Sequence, residues 1–237
     1  VRLAIIGNGA MGKLVRTLAE AEGHEIARVI TSRDSSLSLE ELVERLRDHD
    51  AAIDFSVAGA VLKNIEASAR AGVPLVEGTT GWNAHEAEAR RIVEAHAGAL
   101  LYGANFSVGV NLFYRIVRRA AELFASTDYA PFIEEAHHAR KRDAPSGTAL
   151  KLRDVLAAAL ARDIPVASTR AGHIPGTHTV GFDAAADQIT LTHTARTREG
   201  FAAGSILAAR WIKDRRGVYE FSEAIDEIVT SAKNSDK

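Results

Sequence analysis

Three features of the sequence predict an α/β protein whose first part is a parallel sheet and whose second part is an α+β domain with a mixed sheet. Up to Ser107, short apolar runs alternate with helical patterns, as they do when helices cover both faces of a parallel sheet. After Ser107 the order changes: two runs of period two follow one another with no helix between them. Hydrophobic residues make up 46% of the 237, which is ample material for a core in each part.

The elements follow in order. "LAIIG" reads as a buried strand, and "MGKLVRTLAEAEG" as a helix ending at Gly23. "EIARVIT" is a second strand, followed by "SLEELVERLRD", helical behind a capping Ser38. "AAIDFS" is a third strand, and "AVLKNIEASARAG" a helix closed by Gly72. "VPLVEGTTG", a helix from Ala84 to Ala97 and "ALLYGANFS" continue the alternation. Beyond it come a long amphipathic helix, "VNLFYRIVRRAAELFA", and a strand-like run, "APFIEEAHH". A helix is expected from about Ser146 to about Arg162, then strands around "HTVGFDA" and "DQITLTHTA", then a small-residue helix, "GFAAGSILAARWI". The expected division is a dinucleotide-binding domain over 1–107 and a substrate-binding and oligomerisation domain over 108–212. The last helix, within 213–237, is expected to return to the first domain.

Composition excludes several function classes. The 29 basic and 31 acidic residues leave a net charge of -2, which gives no global field for nucleic acid or an anionic membrane. No cysteine is present, so thiol nucleophiles, disulfides and zinc–thiolate sites are ruled out. No apolar run approaches the roughly 20 residues of a membrane span. "VRLAIIGNG" has neither the charged start nor the long apolar run of a signal peptide, so a soluble cytoplasmic protein is expected.

"AIIGNGAMGK" places Gly7, Gly9 and Gly12 in G-x-G-x-x-G spacing at the first strand-to-helix turn, which makes the parallel sheet Rossmann-like. Gly7 permits the tight turn, Gly9 lets a pyrophosphate approach the backbone, and Gly12 lets helix and strand pack closely. The phosphates then rest on the positive helix end. At the end of the second strand, where an acid commonly meets the adenosine ribose, the chain reads "ITSRD". Thr31, Ser32 and Arg33 suit a 2'-phosphate, which leans the reading toward NADPH with NADH tolerated; Asp34 is the alternative ribose partner. "EGTTG" and "GANFS" close two more strands and offer backbone approach and hydroxyls at the same sheet edge.

The least ordinary stretch is "EEAHHARKRDAPSGTAL", Glu134 to Leu150. His137 and His138 end a strand-like run, so their side chains point to opposite sides. Pro145, Ser146, Gly147 and Thr148 read as a helix start, and the free N–H groups of the last three form an anion site with Arg140, Lys141 and Arg142 nearby. A carboxylate or phosphate fits there, and a histidine beside it is suited to proton transfer. His173, His178 and His193 raise a metal reading. No His-x-x-x-His helix and no carboxylate at ligand spacing supports it, so a histidine-rich anion pocket is preferred and no metal is expected. "RAGHIPGTHTVGF" adds a basic, glycine-rich turn that closes this pocket or meets a neighbouring subunit.

Taken together, "GNGAMGK", "DFS", "EGTTGW", "GANFSVGVN", "EEAHHARKRDAPSGTA", "RAGHIPGTHTVGF" and "LTHTARTREGFAAGS" resemble the 4-hydroxy-tetrahydrodipicolinate reductase family over essentially the whole chain. The resemblance implies an enzyme of lysine and diaminopimelate biosynthesis that uses NADPH or NADH to reduce a cyclic six-membered dicarboxylate, with loss of water, to tetrahydrodipicolinate. It assigns acid/base work to His137 and proton donation to Lys141. His138, Gly147 and Thr148 match substrate contacts, beside Ser146 at the helix start. Gly7, Asn8, Gly9, Ala10, Met11 and Gly12 match the pyrophosphate loop. Gly78, Thr79 and Thr80, then Gly103, Ala104, Asn105 and Phe106, match later cofactor contacts, and a homotetramer built on the second domain's sheet is implied. "TSRD" departs from the many relatives that carry an acid nearer the strand end, which leaves cofactor preference open. Two rivals are weighed against it. Another Rossmann reductase has no use for "HHARKRDAPSGT". A non-catalytic nucleotide sensor would need a partner surface or a basic recognition helix, and no such helix is evident.

Overall fold

The computed structural model describes residues 1–235. Strand β1 (Arg2–Ile6) is buried from Leu3 to Ile6, so it lies inside its sheet, flanked on both sides, with apolar side chains on both faces. Around it run β2 (Glu25–Ile30), β3 (Ala51–Asp54), β4 (Leu75–Glu77), β5 (Ala99–Tyr102) and β10 (Gly217–Glu220) in the order β10-β5-β4-β3-β1-β2, all parallel. The chain steps from β1 to β2 on one side and to β3 on the other. The switch point, and the crevice it opens at the carboxyl ends, therefore falls between β1 and β3.

Helices α1 (Ala10–Ala21), α2 (Leu39–Leu46), α3 (Val61–Ala71) and α4 (Glu86–Ala95) connect these strands. One apolar cluster lies on each face of the sheet. Leu3, Ile5, Ile53 and Leu101 meet Val15, Ile206 and Ile225 on one, while Ala4, Ile6 and Leu100 meet Leu42, Ile65 and Val93 on the other. Two helices of the first cluster come from the end of the chain: α7 (Glu199–Ile212) and α8 (Phe221–Ser235).

Residues Val1–Val108 and Glu199–Lys237 form one compact unit, and Gly109–Arg198 a second. This moves α7 out of the 108–212 segment in which the sequence reading placed it. The reason is its small residues. A Cβ at Gly204 would lie 1.7 Å from the carbonyl oxygen of Phe106, so the helix backbone rests directly on the first unit. Strand β10, "GVYE", was not foreseen either; it is short, and its partner β5 is remote in sequence.

In the second unit, α5 (Val108–Phe124) and α6 (Gly147–Leu160) cover one face of a four-stranded mixed sheet with the order β7-β6-β8-β9. Its strands are β6 (Ala130–His137), β7 (Val166–Arg170), β8 (Thr177–Asp183) and β9 (Gln188–Thr194). Phe113, Val117, Ile133, Leu152, Leu156, Val180 and Phe182 form its core. Strand β7, "VASTR", also escaped the sequence reading, because its middle is exposed and carries no apolar alternation.

Candidate active site

The carboxyl edge of the first sheet is made of backbone. After β1 the chain turns at Gly7, whose φ of +99° belongs to glycine, and a Cβ there would stand 2.3 Å from the Phe55 carbonyl oxygen. A Cβ on Gly12 would stand 2.0 Å from the Gly7 oxygen, so helix α1 presses against the turn. Gly9 is the N-cap of α1; no described side chain caps it, and a Cβ there would meet no described atom within 4 Å. This is open space in front of free N–H groups, next to exposed Asn8 and Ala10, and it fits a pyrophosphate. Met11 turns inward and packs on the core.

The neighbouring loops complete this edge. Thr31 caps a short turn over Ser32–Asp34, with Ser32 and Arg33 exposed. Asp34 accepts from the Thr31 N–H at 2.9 Å, the Thr31 hydroxyl at 3.0 Å and Arg45 at 2.8 Å. Its carboxylate is thereby committed to the protein, and the Thr31 backbone bond above all holds it below the usual range. Of the two residues the sequence left open for the ribose, Arg33 is the one whose side chain is exposed. Gly78 gives room to the Phe55 ring, to which a Cβ would approach within 2.2 Å. Thr79 donates its N–H to Glu77 at 2.6 Å, and Thr80 is exposed. Gly103 abuts Phe221, Ala104 is exposed, and the Asn105 side chain accepts from the Ser107 N–H at 2.9 Å. The ring of Phe106 is in the core between Phe55 and Phe221, which leaves only its backbone to face a ligand. Phe55 and Ser56, passed over as site residues in the sequence, stand on the same edge beside Gly7 and Thr79.

The second unit gathers side chains instead. Ile133, Glu135 and His137 share one face of β6, so the alternation that buries Ile133 also buries Glu135. The Glu135 carboxylate accepts from Arg170 at 2.7 Å, from the Ser146 N–H at 3.3 Å, and pairs with His137 Nδ1 at 2.5 Å. Arg170 ends β7 directly beside His137 in register, and also donates to the Asp143 carbonyl at 2.6 Å. Burial alone would raise Glu135, but Arg170, Ser168 and His137 hold it down to about 2.

Ser146 caps α6, its hydroxyl accepting from the Ala149 N–H at 3.3 Å and lying 3.0 Å from His178 Nε2. The helix thus begins at Gly147, close to the expected start. Gly147 is exposed, with no described atom within 4 Å of where a Cβ would be, and Thr148 bonds to the Tyr114 hydroxyl. The His137 and His178 rings meet edge to face at 5.1 Å. Gly176, at φ +136°, keeps the other side of His137 clear; a Cβ would come 3.2 Å from Nε2. Lys141 pairs with Asp143 at 2.8 Å. His138 lies just past the end of β6, and no described group bonds its buried Nδ1.

Burial lowers His137, with Glu135 pulling it up and the charges of Lys141 and Arg170 pushing it further down. Burial together with the His137 charge lowers His178 to about 4. Both shifts favour the neutral imidazole. Ligand-type atoms of Glu135, His137 and His178 lie within 4.8 Å of one another, a spacing a metal could use. Arg170 already occupies one oxygen of the Glu135 carboxylate, and Lys141 adds a second positive charge nearby, which disfavours a further cation there. Glu135 and Arg170 join this cluster, and neither was singled out by the sequence reading.

A glycine-lined helix start on a parallel sheet and a neutral histidine steadied by a buried carboxylate define a dinucleotide-dependent reductase of the Rossmann type. Comparison with known proteins makes this specific. The family described as dihydrodipicolinate reductase matches with its N-terminal part over residues 1–106 and with its C-terminal part over residues 109–225, and the chain belongs to that family. A protein of Christiangramia forsetii named 4-hydroxy-tetrahydrodipicolinate reductase is 34% identical over 241 residues, covering 96% of this chain and 99% of its own. One of the same name from Archaeoglobus fulgidus is 34% identical over 262 residues, covering 95% and 100%. Among solved structures, a dipicolinate-bound dihydrodipicolinate reductase from Paenisporosarcina sp. TG-14 superposes with a TM-score of 0.78 at 21% identity, over 93% of this chain and 97% of that one, a likeness of fold. The family consists of NAD(P)H-dependent oxidoreductases of lysine biosynthesis, and the activity that goes with it is 4-hydroxy-tetrahydrodipicolinate reduction. No helix among the described residues is long and apolar enough to cross a membrane.

Proposed function

We propose that the first unit takes NADPH, with NADH tolerated, along its glycine-lined edge, and that the second unit holds the cyclic dicarboxylate while His137 and Lys141 manage the proton. The bound nucleotide supplies the hydride. Gly7 to Gly12 receive its pyrophosphate, Ser32 and Arg33 its 2'-phosphate, and the loops Gly78–Thr80 and Gly103–Phe106 its nicotinamide end. The commitment of Asp34 to Thr31 and Arg45 supports the preference for a phosphorylated ribose.

The observation that carries the reading is the Glu135–His137 pair beside the open helix start at Gly147. A ring carboxylate resting on the Gly147 and Thr148 amides, with Lys141 and His138 alongside, brings negative charge to a neutral imidazole. That charge raises its affinity for a proton. Glu135 on Nδ1 directs the exchange to Nε2, on the side that Gly176 keeps clear. As hydride reaches the ring, the ring gains negative character. His137 and the Lys141 ammonium are then placed to stabilise it and to give the proton that follows. The reading extends to a cytoplasmic homotetramer assembled on the second unit's sheet, where exposed Ile189 on the edge strand β9 calls for cover. The test is oxidation of NADPH and of NADH with the condensation product of pyruvate and aspartate semialdehyde as substrate. Turnover with that substrate is expected, faster at low NADPH than at low NADH; nucleotide binding without turnover would leave the sensor alternative in its place.

A further inference from the structure

Beneath the nucleotide edge of the first unit lie two acids that the reaction does not use. Asp54 ends β3 and Glu77 ends β4, the strands pair these two residues in register, and both are fully buried. Each reaches forward to the loop after its own strand. Asp54 accepts from the Ser56 N–H at 2.7 Å, and Glu77 accepts from the Thr79 N–H at 2.6 Å. The loops also cross-connect, since the Ser56 N–H reaches the Thr79 hydroxyl at 3.0 Å. The second oxygen of Asp54 is met by Asn64 at 2.6 Å. The second oxygen of Glu77 is buried, and no donor among the described residues meets it. A buried carboxylate oxygen in that position is costly, whereas a carboxylic acid whose O–H points at Asp54 is satisfied, and the two side chains stand within hydrogen-bonding reach.

We propose that Asp54 and Glu77 share one proton, carried on Glu77, and that this proton ties the loop after β3 to the loop after β4 and so sets the shape of the nucleotide edge. The assignment rests on the reading that these loops receive the cofactor. It makes Glu77 a positioning residue. Burial, and after it the Asp54 charge, pushes Glu77 up to about 10, and burial raises Asp54 as well. The surroundings offer little to replace the proton. Asn64, Ser56 and Thr79 are neutral, and Lys63 on α3 donates instead to the Leu37 carbonyl. Tyr102, beside Glu77 on β5, is held by Glu86 and Arg90. The charged residues of α7, which packs on the same sheet, are Glu199 and Arg210 near its two ends. Loss of the proton sets two buried negative charges side by side and drives the loops apart.

Glu77→Gln keeps an acceptor for Thr79 and a permanent donor for Asp54, and removes the titration. Three readouts apply. At about pH 8, infrared spectroscopy of the wild type should show a protonated-carboxyl stretching band that Glu77→Gln lacks, and Asp54→Asn should shift its loss to lower pH because the neighbouring charge is gone. A carboxyl raised in the folded state binds a proton that the unfolded chain has released, so it costs stability progressively as pH rises from the unfolded toward the folded pKa. The melting temperature of Glu77→Gln should therefore exceed that of the wild type by a margin that widens from about pH 5 to about pH 9. Finally, the NADPH dissociation constant of the wild type should rise about fourfold between about pH 8 and about pH 10.5, and in Glu77→Gln this rise should be lost. Absence of the band in the wild type, a margin that does not widen, or an unchanged alkaline profile in Glu77→Gln would overturn the proposal. The band and the melting margin need no nucleotide. If they appear while neither NADPH nor NADH binds, the shared proton stands and the cofactor reading falls.

Discussion

The two units carry chemistry in opposite ways. The first presents backbone: Gly7, Gly9 and Gly12 shape the turn before α1, whose start no described side chain caps. The second presents side chains: Glu135, Arg170, His137, Ser146 and His178 come from β6, β7, the start of α6 and β8 to form one bonded cluster. A backbone site tolerates most side-chain changes but no added Cβ, whereas a side-chain network tolerates neither loss of a member nor an unpaired charge.

That contrast can be broken most sharply at His137. Replacing it by Gln is expected to lower kcat by about 10²–10⁴, the usual worth of a positioned acid/base, with the NADPH dissociation constant unchanged. Replacing Lys141 by Ala should lower kcat and also weaken a dicarboxylate inhibitor, and the two effects should not add if both residues serve one step. Steady-state kinetics with direct nucleotide titration reads both. Next in size is Arg170→Met, which leaves Glu135 buried beside a neutral histidine; a loss of about 3–5 kcal/mol in denaturant unfolding is expected. Stability close to wild type would mean that the carboxylate does not depend on Arg170.

A smaller effect sharpens the electrostatic side. Because His178 is lowered to about 4, the unfolded chain takes up a proton there that the folded chain refuses, so stability falls as pH drops from the unfolded value near 6.5 toward 4. Glu135, held at about 2, contributes stability above the ordinary carboxylate range that is lost as pH falls toward 2. His178→Gln should therefore flatten the decline above about pH 4 and leave the lower limb, which urea midpoints across that range would record. Smallest is Arg33→Ala, expected to raise the KM for NADPH roughly tenfold, the loss of one charge-assisted contact, and to leave that for NADH nearly unchanged. An equal rise with both nucleotides would make Arg33 structural.

The same contrast explains what the sequence made legible. A backbone site is written locally, so the glycine spacing located the turn after β1, and the hydroxyl-glycine pair at Ser146 located the start of α6. A side-chain cluster is assembled over long separations. Glu135 was hidden in a strand-like run, although its place between Ile133 and His137 on the inward face was a signal that a buried acid needed a partner. Arg170 could not be paired with it while "VASTR" went unrecognised as a strand. Glu77 was concealed for a related reason, since only the register of β3 against β4 sets it beside Asp54. The helix α7 was assigned by its neighbours in sequence, when its glycine and alanine face was shaped for the first unit.

On the proposed reading, His137 rests neutral and takes up a proton when a dicarboxylate enters the second unit. Planar pyridine-2,6-dicarboxylate carries two carboxylates on a six-membered ring and does not readily accept hydride, so it isolates that event. Calorimetric titration in two buffers of different ionisation enthalpy at about pH 7.5 counts the protons exchanged on binding. Net uptake is expected in the wild type, and its abolition in His137→Gln. Binding with no proton uptake, or with uptake that survives in His137→Gln, would contradict it and place the proton elsewhere.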